Sequence, residues 1–119
     1  MRNYEEHYNQ SLVVKWFRAN PKTRKYLIYA IPNAFRRTIR QGAWMKDEGM
    51  TAGIPDLCIP HASNGFNGMY IEMKRKNEKN TDLQSAIQNQ LLNDGYCVVV
   101  CDSFENAKNC IEFYLEKEN

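Results

Sequence analysis

Val13, Trp16 and Phe17 fall at helical spacing, and Gln10 and Glu6 continue the same stripe toward the N-terminus, which predicts a helix over residues 3–19. Asn20-Pro21 ends it, because proline biases the residue before it away from helical geometry. Residues 26–31 are a β-rich run closed by Pro32-Asn33, and residues 36–48 read as a second helix with Ile39, Ala43 and Trp44 on one side and Gly49 at its end. Gly53-Ile54-Pro55 leads into a short strand over 56–59, closed by Pro60. Gly65 and Gly68 mark a turn before a strand over 69–74, and residues 76–80 form a polar loop. Thr81 and Gln84 stand in the spacing of a capping box, which predicts a helix over 81–94 ended by Gly95. Residues 96–101 are the most continuous apolar run, the pattern of a strand buried on both faces. Ser103 is placed to cap a last helix over 103–116.

The order helix, strand, helix, strand, strand, helix, strand, helix points to an α/β domain in which helices cover both faces of one sheet. A chain of 119 residues has room for one such core, so 1–119 is read as one domain. No apolar run is long enough to span a bilayer, and the polar Met1-Arg2-Asn3-Tyr4-Glu5-Glu6 start lacks the apolar stretch of a secretory signal. The expected setting is cytoplasmic, with no membrane partner. A formal net charge of +2 does not by itself announce a nucleic-acid binder. Its distribution is more informative. Basic residues cluster at Lys22, Arg24 and Lys25, at Arg36, Arg37, Arg40 and Lys46, and at Lys74, Arg75, Lys76 and Lys79, while acidic residues gather at the two ends. Cys58, Cys97, Cys101 and Cys110 form no C-x-x-C pair and complete no zinc spacing with His7 and His61, so they read as reduced structural thiols.

Chemistry concentrates in Met69-Tyr70-Ile71-Glu72-Met73-Lys74. Alternation along a strand puts Tyr70, Glu72 and Lys74 on one face and Met69, Ile71 and Met73 on the other. A charged pair on a mostly buried strand requires a partner or a metal. The preceding strand starts with Asp56, just after Pro55 and 16 positions before Glu72. If the two strands pair, the two carboxylates become neighbours and raise each other's pKa, a conflict that a divalent cation removes. Hard oxygen donors suit Mg²⁺ or Mn²⁺, and a lysine beside them can orient or deprotonate water, the minimum needed to hydrolyse a phosphodiester. An E-x-K triplet alone is weak, since alternating charge on an exposed strand is common.

Gly53-Ile54-Pro55-Asp56-Leu57 followed by Ile71-Glu72-Met73-Lys74 resembles the VRR-NUC branch of the PD-(D/E)XK nuclease superfamily, and the resemblance extends over nearly the whole chain. It includes the first helix with Glu6 and Gln10, the Pro32-Asn33 turn, the basic segment through Lys46, Gln84 on the helix after E-x-K, and Gly95-Tyr96 before the last strand. It implies a restriction-endonuclease-like core with a mixed four-stranded sheet flanked by helices. It also implies metal ligation by Asp56, Glu72, the Met73 backbone carbonyl and Glu6, the last directly or through water. Lys74 is then the catalytic lysine, and Gln84 supports the site from the neighbouring helix. Asn33, Arg36, Arg37, Arg40, Lys46, Arg75 and Lys76 are candidate DNA contacts. Several of these residues have structural alternatives: Glu6 as a first-turn acid favoured by the helix dipole, Gln84 as a capping-box residue, Asn33 as a turn residue, Tyr70 as packing, and the arginines as a solvated face.

The expected function is Mg²⁺- or Mn²⁺-dependent hydrolysis of DNA. The family resemblance suggests a homodimer acting on branched DNA such as four-way junctions, of a kind typical of phages and prophages in bacterial hosts. Two alternatives stand beside it: a catalytically silent DNA-binding accessory protein, and a nuclease for RNA or single strands. The second is disfavoured by the scarcity of obvious exposed aromatic stacking platforms in the sequence.

Overall fold

In the computed structural model, which describes residues 4–32 and 39–116, the N-terminal stripe forms helix α1 (Tyr4–Ala19). Glu6, Val13 and Phe17 are the residues it buries, at a spacing that keeps them on one face. Thr23 finishes the helix by donating its hydroxyl to the Phe17 carbonyl at 2.7 Å, giving a partner to one of the carbonyls left over at a helix end. The chain then winds through tight turns, with Thr23 and Arg24 N–H both donating to the Asn20 carbonyl and Tyr26 N–H to the Thr23 carbonyl. Those local bonds occupy backbone groups that a strand would offer to its neighbour. The strand expected over 26–31 is therefore reduced to β1 (Tyr29–Ala30), followed by a bond from Ile31 N–H to the Asp56 carbonyl at 2.8 Å.

Helix α2 (Ile39–Asp47) follows, and the start of the expected helix at 36–38 lies outside the described residues. Ala43 and Trp44, expected on one side of this helix, are both exposed. Among the described residues, α2 shares no extensive contact with another element. Strands β2 (Leu57–Ile59) and β3 (Met69–Met73) form an antiparallel pair. Their connection is pinned to the last helix at two points: the Ser63 hydroxyl donates to the Tyr114 carbonyl at 2.7 Å, and the Tyr114 hydroxyl donates to the His61 carbonyl at 2.6 Å. Helix α3 (Asp82–Asn93) then carries the chain to β4 (Cys97–Cys101), which pairs parallel with β3, and α4 (Phe104–Glu116) closes the fold. Ser103 caps α4 by accepting from Asn106 N–H at 3.1 Å.

The sheet order is β1-β2-β3-β4, a mixed four-stranded sheet flanked by helices as expected. Leu57, Ile59, Met69, Ile71 and Met73 all point to one face, where Val13 and Phe17 of α1 and Ala107, Ile111 and Tyr114 of α4 bury them. Alternation sends Cys58, Tyr70 and Glu72 to the other face, and α3 packs on that sheet along β4. β4 is not buried on both faces. It is the outermost strand of the order, Val100 is 47% exposed, and of its residues only Cys101 is fully buried. All four cysteines are free thiols; Cys58 and Cys101 are buried and the other two half-buried. Among the described residues, no helix is long and apolar enough to cross a membrane.

Candidate active site

Asp56 sits where the ladder between β2 and β3 runs out. Leu57 is opposite Ile71, so one step further along the antiparallel register sets Asp56 opposite Glu72. Residues directly opposite in such a pair have side chains on the same face, with Cβ atoms about 5 Å apart. The pairing is held from both directions. Asp56 N–H donates to the Ile71 carbonyl at 3.0 Å, and Asp56 Oδ2 accepts from Met73 N–H at 2.8 Å. Asp56, Glu72 and Lys74 are only 2–3% exposed, so three ionisable groups are buried together on a strand pair. Such a cluster is costly unless its members serve one another or a bound ion.

Lys74 continues the parallel ladder, its N–H donating to the Cys101 carbonyl at 2.8 Å, which keeps its side chain on the Glu72 face. The ammonium donates to Gln84 Oε1 and lies 3.7 Å from Glu72 Oε2 and 3.9 Å from Glu78 Oε2. Gln84 is held in turn by the capping box of α3. Its Oε1 accepts from Thr81 N–H at 2.9 Å, while its own N–H donates to Thr81 Oγ1 at 3.1 Å. Its Nε2 donates to Glu72 Oε2 at 3.4 Å. Gln84 is thus the capping-box residue, and the same side chain also contacts Lys74 and Glu72.

Gly53 brings the Asp56 segment onto that same helix. Its φ is +84°, and a Cβ there would lie 2.9 Å from Leu83 Cγ and 3.4 Å from Gln84 N. Only glycine adopts this backbone readily and also lets the loop rest on the first turn of α3. Gly53 and Glu78 are the site residues that sequence reasoning missed. Gly53 was legible only as part of a motif, and Glu78 only as a carboxylate four residues beyond Lys74.

Glu6 is 8% exposed in the first turn of α1, and its neighbour Glu5 accepts from Lys76 N–H at 3.1 Å. The start of α1 therefore lies against the chain just beyond Lys74. Among the described residues no set of three or more His, Cys, Asp or Glu side chains gathers closely enough to hold a metal unaided. Arg75 and Lys76 are exposed immediately after Lys74. A shallow cavity of about 420 Å³ opens beside Lys74, bordered by Lys79, Asp102 and Asn106 among others. Arg40 and Lys46 are exposed on α2, Arg40 lying 5.4 Å over the Trp44 ring. Asn33, Arg36 and Arg37 fall outside the described residues.

The donor set fits a hard divalent cation. Asp56 and Glu72 bring two carboxylates into a buried site beside one lysine, and the donors they offer are oxygens. Two carboxylates leave coordination positions for water and phosphate oxygens, an arrangement that suits Mg²⁺.

The model of the VRR-NUC domain matches residues 1–105 of the chain. A solved structure described as a VRR_NUC domain protein is 27% identical, covers 100% of this chain and 94% of its own, and superposes with a TM-score of 0.82. No curated protein gives a match. With the family model spanning all the strands and the whole candidate site, the chain belongs to the VRR-NUC family, a family of nuclease type.

Proposed function

We propose that this nuclease domain is a metal-dependent DNA endonuclease that hydrolyses backbone phosphodiesters and prefers branched substrates. The observation that carries the reading is the buried group of Asp56, Glu72 and Lys74, with Gln84 bonded to both Glu72 and Lys74. Asp56, Glu72 and the Met73 carbonyl would hold Mg²⁺ or Mn²⁺, with Glu6 acting through water. When bound, such an ion offsets charge developing on the phosphate oxygens and makes a nearby water more acidic. The Lys74 ammonium would first release a proton to solvent. Its free amine would then orient the attacking water and take its proton as the new P–O bond forms and the bond to the leaving deoxyribose oxygen breaks, that oxygen drawing a proton from solvent. Gln84 holds Nζ in place, and Glu72 keeps the ammonium's charge balanced within the site. All the residue types the chemistry needs are present and gathered, which argues against a silent accessory protein.

Arg75 and Lys76, exposed beside Lys74, would grip phosphates on either side of the cut, with Arg40, Lys46 and the basic segment that includes Asn33, Arg36 and Arg37 extending the contact. Phosphate contacts position DNA without reading sequence. Selection by DNA shape follows. A chain of 119 residues has little surface with which to hold a junction, so a symmetric homodimer presenting two sites to two strands suits that substrate. We place its work in the cytoplasm of a bacterium or of a phage-infected host cell. The test is side-by-side incubation with duplex, four-way junction, flap and single-stranded DNA in Mg²⁺ or Mn²⁺, with the assembly's mass measured with and without junction. Cleavage led by the branched substrates and a dimer mass are expected. Preference for single strands, or a monomer mass that junction DNA leaves unchanged, would overturn the corresponding part.

A further inference from the structure

The carboxylate face of the sheet carries a second feature that needs the strand register to be seen. Tyr29 is opposite Cys58, Cys58 is opposite Tyr70, and Tyr70 is beside Val98, so one row crosses all four strands. Cys58 and Tyr70 are each two positions from Asp56 and Glu72. The row therefore shares the carboxylate face and lies one side-chain repeat, about 6.6 Å, along the strands.

Tyr29 and Tyr70 flank Cys58 in that row, so their rings rise from the same face of the sheet on either side of a small thiol. Tyr96 backs Tyr70 edge-on, with centroids 5.4 Å apart and planes at 74°. Tyr29 remains 41% exposed and Tyr70 half-buried, so the fold leaves aromatic surface uncovered beside its buried charges. Exposed aromatic rings on the carboxylate face suit a π-face, and every nucleobase offers one. Bases inside an unbroken duplex are already stacked on their neighbours. Only a base released at a branch, flap or end has a face to give, and extracting one from a duplex is costly.

We infer that Tyr29 and Tyr70 form a stacking subsite for an unpaired or unstacked nucleobase next to the scissile phosphate. The subsite rests on the nuclease reading of the adjacent carboxylates and supplies a physical basis for preferring branched DNA. The two tyrosines are 41 positions apart in the chain and are brought into one row only by strand register.

The test uses a four-way junction carrying 2-aminopurine at successive positions around the branch, bound by the full chain in EDTA so that no metal-dependent cutting occurs. Wild type is expected to quench the probe at one or two positions. Tyr29→Leu and Tyr70→Leu should lose that quench and bind the junction about tenfold more weakly, the size of one base–aromatic stack. Tyr29→Phe, which keeps the ring, should retain it and report that the sheet is intact. No quench at any position with wild type, or a quench that survives in both leucine variants, overturns the subsite. Cleavage by the same wild-type preparation in Mn²⁺ is scored separately. Cutting without quenching defeats the subsite alone, and quenching without cutting supports the subsite while defeating the nuclease reading.

Discussion

The Lys74 ammonium donates to Gln84 Oε1, the same oxygen that closes the capping box of α3 on Thr81 N–H. Helix capping and site geometry are therefore one hydrogen-bond system. Thr81→Ala should cost about 1 kcal/mol of stability through the lost cap. It should also lower cleavage by about tenfold as Gln84 loosens, in the lower part of the range for groups that orient a site from behind. Thr81→Ser, which keeps the hydroxyl, should restore both. Steady-state cleavage and thermal melts of the two variants check this, and full activity in Thr81→Ala would separate the cap from the site.

Asp56 is expected to split activity from stability. Asp56→Asn keeps an oxygen for the Met73 N–H but removes a charge buried opposite Glu72. Cleavage should fall by about a hundredfold or more, while the melting temperature in EDTA stays level or rises as carboxylate repulsion is relieved. Asp56→Ala also loses the acceptor and strands a buried N–H, so it should melt lower, by about 1–3 kcal/mol in stability. Equal melting of the two variants would contradict the bond's structural role.

Gly53→Ala should destabilise the loop that carries Asp56. The positive φ costs about 1–2 kcal/mol for any residue with a Cβ, and the added methyl meets Leu83 Cγ at 2.9 Å. Gly53→Ala with Leu83→Ala removes the contact but not the backbone cost, so it should recover only part of the loss in a denaturant titration. Full recovery would assign the effect to the contact alone.

Alkaline pH should weaken the fold. Burial first, then the neighbouring Cys110, pushes the Cys101 thiol from 9.0 up to about 12. The hydrogen bond to Cys58 is the leading cause that takes the Tyr29 hydroxyl from 10.0 to about 12. The folded chain thus keeps these protons where the unfolded chain has released them. Their contribution is whole below the unfolded values and is lost as pH rises from about 9 toward 12. Urea unfolding at about pH 8 and about pH 10.5 should give a smaller loss for Cys101→Ala than for wild type. Identical losses would mean that the thiol does not titrate this way.

Local signals were legible in the sequence and long-range ones were not. The capping box at Thr81 and Gln84, the Ser103 cap and the alternation of Met69 through Met73 each depend on residues a few positions apart, and each is found where expected. Strand order is a tertiary property, so the apolar run ending at Cys101 gave no sign that β4 lies at the edge. The shortened β1 has a similar cause. Backbone bonds after Asn20 outcompete the β-rich side chains of the segment. The E-x-K face and its opposite Asp56 were readable because alternation and one antiparallel pairing suffice. Gly53 on α3 and the tyrosine row required contacts between segments that no local pattern reports.

The central claim is tested most directly by cleavage of a labelled four-way junction and a matched linear duplex in Mg²⁺, Mn²⁺ or EDTA, comparing wild type with Lys74→Ala. Wild type should cut only with metal and cut the junction faster. Lys74→Ala should bind DNA but cut about 100- to 10,000-fold more slowly, the usual weight of a proton-transfer group. Cutting that persists in EDTA or is undiminished in Lys74→Ala would contradict the site described here, and tight binding without any cutting would make the protein a DNA-binding accessory instead.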